Sequence, residues 1–154
     1  MKRAEQHASV YLTRRGYFVH SDARTDAGFL VATLPAYLVK LDLGPGILGE
    51  RVLEALAGSR IDFPTPRPDQ YREMSAPVLA VAGVRSWMTL QRSATLCTLT
   101  ADGSSVAIEP TLNGGSTGEG RGYRPLATNR VMLPVDASAD AIGNAVIESF
   151  AKCK

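Results

Sequence analysis

The chain has 154 residues, of which 45% are apolar and 21% charged, with a formal net charge of +2. That length suits a single domain burying about 70% of its unfolded-chain surface, a core that stands without disulfide or metal staples. The balance excludes a disordered chain and gives no nucleic-acid footprint, which needs basic residues clustered on one face.

In chain order, Arg14 and Arg15 form an adjacent basic pair that reads as solvated surface. The runs 16–25 (GYFVHSDART) and 28–34 (GFLVATL) are rich in β-branched and aromatic residues and predict strands, parted by turn-rich 22–28. Residues 36–42 (AYLVKLD) form a further extended run, and a helix follows. Its Pro45 stands at a first helical position, where no N–H is needed. Leu48, Val52, Leu53 and Leu56 recur on one face over about three turns. Residues 62–77 hold four of the nine prolines. Their alternation predicts extended backbone with at most one helical turn at 69–74. The stretch 84–91 (VRSWMTLQ) predicts a strand that carries Trp87, the sole tryptophan, as a core or interface anchor, with the core favoured. Residues 95–110 predict a hairpin around Asp102-Gly103.

The closing segment echoes an earlier one. Residues 37–60 and 131–154 match at a fixed offset with five identities in 24 positions, among them Asp42 with Asp136 and Gly49 with Gly143. Each copy runs from an apolar extended stretch through an aspartate and a turn into a helix. In the second, Asp136 or Ser138 can cap the first turn, and Ile142, Val146, Ile147 and Phe150 make the apolar stripe. Glycine inside a helix costs about 1 kcal/mol relative to alanine, so its place in both copies suggests close approach of each helix to a sheet. Strands followed by a helix, twice, predict an α+β fold: an antiparallel sheet with two similar helices packed on it, a possible strand-helix duplication. We expect one domain over 1–154, with half-units of about 1–62 and 77–154 and a Pro-rich connector at 63–76.

A search for chemistry finds little. The glycine-rich segment Asn113–Tyr123 (NGGSTGEGRGY) has no lysine, lacks the spacing of a phosphate loop and precedes no helix. It reads as a mobile link, and shortening Gly114–Gly120 should leave the fold intact. The alternative is a small ligand-binding or enzymatic domain that uses this loop with Arg121, Tyr123 and Arg124. A further reading is a structural subunit that pairs with itself. Neither His7 nor His20 has metal-ligand spacing around it. His20 and Asp22 share one side of a strand, but no nucleophile motif accompanies them, and a satisfied or exposed histidine is the expectation. Cys97 and Cys153 form no CxxC and read as small hydrophobes. No cofactor or metal is expected. With no signal peptide at the N-terminus and no apolar run near 20 residues, the chain reads as cytoplasmic, soluble and unattached to membranes.

The segments 23–42, 48–60, 83–99 and 133–154 together resemble the immunity proteins of bacterial contact-dependent growth inhibition (CDI) systems, a family formerly called a domain of unknown function. The resemblance implies a small non-enzymatic cytoplasmic protein. It would bind, one to one, the C-terminal toxin domain delivered by a neighbouring cell, often a nuclease, and block its active site without touching nucleic acid itself. Candidate contact residues are those in predicted loops and the connector: Asp22, Asp26, Asp69, Tyr71, Glu73, Glu119, Arg121 and Tyr123. Many nuclease inhibitors are acidic, which speeds capture of a basic partner. This chain is slightly basic, so either the toxin is not strongly basic or the acidic residues gather on one face.

Overall fold

The computed structural model describes residues 4–154. Its strands are β1 (Gln6–Thr13), β2 (Gly16–Arg24), β3 (Leu30–Val39), β4 (Thr95–Ala101), β5 (Ser105–Asn113), β6 (Tyr123–Pro125) and β7 (Val131–Pro134). Its helices are α1 (Pro45–Ala57), α2 (Gln70–Ala82), α3 (Trp87–Ser93) and α4 (Ala139–Phe150). All strands join one antiparallel sheet in the order β3-β2-β1-β4-β5-β6, with β7 also on β5. The architecture is α+β, as the order of strands and helices predicts.

The two halves are arranged alike. β1, β2 and β3 form a meander that leads into α1, and β4, β5 and β7 lead into α4. The halves meet where β1 pairs β4 antiparallel. α1 and α4 lie side by side over one sheet face, on Ala8, Val10, Val19, Leu99, Val106 and Ile108. Leu48, Val52, Ile142 and Val146 are all fully buried there, each worth roughly 1.5–3 kcal/mol.

The paired glycines have a different reason from the expected one. A Cβ on Gly49 would overlap the carbonyl of Ala139, and one on Gly143 would overlap the carbonyl of Pro45. Each glycine therefore admits the first residue of the opposite helix. The close approach is helix to helix, not helix to sheet.

Three other expectations change. The runs 28–34 and 36–42 are largely one strand, β3, which continues through Pro35 with a bulge opposite His20 and Ser21. The helical turn expected at 69–74 is the start of a 13-residue helix that runs through Pro77. Burial of Val78 and Leu79 offsets the roughly 3 kcal/mol that an interior proline costs. Trp87 opens a helix instead of lying in a strand. Gly83, left-handed at φ 73°, ends α2, and the Ser86 hydroxyl accepts from the Thr89 N–H to start α3. α2 and α3 cover only part of the second sheet face, over Tyr11, Phe18 and Leu96.

Candidate functional site

Over Thr98, Thr100, Ala107 and Glu109 that second face carries no helix among the described residues, and the strand register shows what the face displays. Alternate residues of a strand share a face. The row beneath α2 and α3 is apolar: Leu38, Phe18, Tyr11 and Leu96 face one another across four strands. The next row reads His20, Ser9, Thr98, Glu109. The row beyond reads Asp22, His7, Thr100, Ala107, Met132. The sheet thus changes from apolar to polar within one residue pair, although α2 continues over the β2–β3 end of the polar rows, where Tyr71, Met74 and Ser75 stand near His20, Asp22 and Ala32.

Two clefts lie on this polar part. The first, about 310 Å³, is floored by Thr98, Thr100 and Ala107 and edged by Glu5, Glu109 and Arg130. Arg130 Nε reaches Glu109 Oε2 at 2.6 Å. At its rim the Asp102 carboxylate accepts from the N–H groups of Ser104 and Ser105, which holds its pKa down at about 2. The second cleft, about 280 Å³, lies under α2 and is lined by Ser9, His20 and Asp22 with Tyr11, Tyr71 and Trp87.

The buried polar groups between the clefts form one network. Ser9 Oγ donates to Asp22 Oδ2 at 2.7 Å. His20 Nδ1 lies 2.9 Å from the Ser21 carbonyl and 3.4 Å from Asp22 Oδ1. That carbonyl can only accept, so Nδ1 carries the proton. In the neutral imidazole His20 Nε2 is then an acceptor, and among the described residues it has no hydrogen-bond partner although His20 is only 2% exposed. The expected satisfied or exposed histidine is neither. His7 takes the same tautomer by a different route. An Arg24 N–H donates to its Nε2 at 3.3 Å, leaving Nδ1–H for the Thr100 hydroxyl. Burial, with Arg24 second, lowers the His7 pKa below its ordinary value.

The sequence-derived contact residues scatter over this framework. Asp22 is buried inside the network. Asp26 is exposed at the β2–β3 turn, where its carboxylate accepts from the Thr65 hydroxyl. Thr25 pairs Phe63 in an isolated bridge, which brings that turn beside the Pro-rich segment. Asp69 and Glu73 are exposed at the start of α2, and Tyr71 between them lines the second cleft. The turn, the segment and the start of α2 therefore lie along one side of the polar face. Glu119 and Arg121 are exposed at the tip of the glycine-rich loop. Tyr123 is committed internally: its ring meets Tyr11 edge-on, and its hydroxyl bonds the Leu90 and Ala94 carbonyls at 3.0 and 2.8 Å. Nor is the loop slack at its base, because Gly114 N–H donates to Gly122 O and Gly122 N–H to Gly115 O.

Ser9, Thr98, Thr100, Glu109 and Arg130 were not singled out from sequence, and His7 was weighed there only for metal-ligand spacing. Polar residues at every second position of β1 and β4 were the available signal, and it needed β1 to be recognised as a strand. The fold also joins Cys97 and Cys153, with thiols 3.8 Å apart. The hydrogen bond between them lowers Cys153 to about 7, whereas that bond and burial raise Cys97. Among the described residues no group of His, Cys, Asp and Glu could hold a metal ion, and no helix is long and apolar enough to cross a membrane.

The fold has counterparts in solved structures. A Protein of Unknown Function, NMB0488 from Neisseria meningitidis, superposes with a TM-score of 0.76 at 17% identity, covering 100% of this chain and 98% of that one. A chain of the CdiA-CT/CdiI toxin and immunity complex from Yersinia pseudotuberculosis superposes with a TM-score of 0.72 at 20% identity, covering both chains completely. No curated protein matches the chain. The model of the CdiI family, described as CDI immunity protein, matches residues 6–153. The chain belongs to the CDI immunity protein family.

Proposed function

We propose that this chain is a non-enzymatic inhibitor that binds its cognate CDI toxin domain one to one in the cytoplasm and blocks the active site of a nuclease toxin. Family membership supports the role. The observation that carries the placement is the polar face, free of helices around the first cleft and partly roofed by α2 at the second. Two adjoining clefts there offer a recessed, hydrogen-bonding surface that the fold leaves open. Glu5, Asp22, Asp102 and Glu109 border it against Arg24 and Arg130, and both arginines are already paired with carboxylates. Among the described residues this face therefore carries more carboxylates than cations in a chain of net charge +2, an arrangement that favours capture of a basic nuclease. Asp26, Asp69 and Glu73 lie along one side of it, with Arg67 paired to Asp69 and Arg72 exposed beside them.

The test is co-purification of the chain with the toxin domain encoded upstream of it, and rescue of cells that express that domain. The expected result is a stable complex, full rescue and loss of nucleic-acid cleavage when the two are mixed. A chain that neither binds nor rescues overturns the proposal.

A further inference from the structure

The second cleft has a chemistry more specific than a general contact surface. Its walls are aromatic. Tyr11, His20 and Trp87 stand in mutual contact with ring centroids 5.6–6.3 Å apart, and Tyr71 lines the cleft with them. Three of its polar groups have turned their donors inward. The Ser9 hydroxyl donates to Asp22, the Trp87 N–H to Ser75 Oγ at 3.1 Å, and the His20 Nδ1–H to the Ser21 carbonyl. Lone pairs are left over, on the Asp22 carboxylate and on His20 Nε2, which is buried without a partner. Among the described residues no lysine or arginine lines the cleft.

One carboxylate, an unused acceptor and faces of Tyr and Trp rings make a site for an N–H-bearing cation. The ring faces attract positive charge, the carboxylate supplies a charge-assisted hydrogen bond, and His20 Nε2 regains the donor it lacks. A volume of about 280 Å³ holds one extended side chain but no folded element. We propose that this cleft receives an arginine or lysine side chain of the toxin domain. The inference rests on the immunity reading given above, and it assigns Asp22, Tyr71 and Trp87 to that partner's anchor.

Trp87 is the sole tryptophan, so its fluorescence reports on the cleft directly. The full chain is titrated at constant ionic strength with n-butylguanidinium and with its neutral isostere n-butylurea. The expected result is a saturable change with the cation, at least tenfold weaker with the urea, and lost in Asp22→Asn. An equal response to both compounds, or full cation binding by Asp22→Asn, overturns the inference. Tyr71→Ala removes a wall without entering the buried network. It weakens cation binding several-fold even if Asp22→Asn fails to fold, and unchanged binding counts against the cleft. A second arm uses the cognate toxin domain. If that domain binds wild type and both variants equally, the cleft assignment fails while the immunity reading stands. If it binds none of them, the immunity reading fails and with it the toxin anchor, whatever the titration shows of the cleft's taste for cations.

Discussion

Gly49 and Gly143 show how a single atom sets the spacing of two helices. Alanine at either site would gain about 1 kcal/mol of helix propensity, yet its Cβ would overlap a backbone carbonyl of the partner helix, which no side-chain rotation relieves. Gly49→Ala and Gly143→Ala are each expected to lower stability by about 1–3 kcal/mol in urea unfolding. An unchanged or raised midpoint would show that the helices are free to slide apart. His7 acts through protons. Its pKa is lowered by burial and by Arg24, so the unfolded chain binds more protons than the native one in the window just below the ordinary value of 6.5. Stability from this group is fully present above 6.5 and is lost as pH falls through that window. His7→Gln should flatten this part of the stability profile, as measured by unfolding at a series of pH values. An unaltered slope would place the proton uptake elsewhere.

Elements with a strong local signal were legible in the sequence. The stripes of α1 and α4 and the Asp102-Gly103 hairpin follow from period and turn chemistry alone. α2 and α3 were not, because two local rules point the wrong way. Pro77 marks a helix end by propensity, and Val84–Gln91 has the composition of a strand. Burial of one face against Tyr11, Phe18 and Leu96 overrides both, and Gly83 and Ser86 were the punctuation that could have revealed the break between the helices. The glycine-rich loop divides at the same level. Its base is hydrogen-bonded and anchored by Tyr123, while residues 117–121 are exposed. Deleting Thr117–Gly120 should leave the melting temperature within a few degrees. Tyr123→Phe, which strips the hydroxyl from the Leu90 and Ala94 carbonyls, should cost about 1 kcal/mol. The reverse ranking in thermal melts would make the tip, not the base, the structural part.

At the scale of the whole molecule, the halves β1-β2-β3-α1 and β4-β5-β7-α4 repeat one plan about the β1–β4 junction, and a duplicated strand-helix unit is the origin we propose for it. The repeat accounts for the covered face of the sheet. The polar face proposed above as the contact surface owes its character to what is not repeated: α2 and α3, inserted between the halves, shield the apolar row and the β2–β3 end of the polar rows, where His7, Ser9, His20 and Asp22 are buried, and leave the β4–β5–β7 end open. The sequence could reach the family and the fold class, but not this face, because its residues come from five strands and only the register brings them together. The central claim is that the open rows seat the toxin domain. It is tested most directly by placing a long side chain on them, Ala107→Arg, at a half-buried position that lines the first cleft and takes part in no side-chain hydrogen bond, and measuring toxin affinity by calorimetry alongside the melting temperature. The account predicts at least a tenfold loss of affinity with little change in melting. Wild-type affinity in a folded Ala107→Arg protein would contradict it.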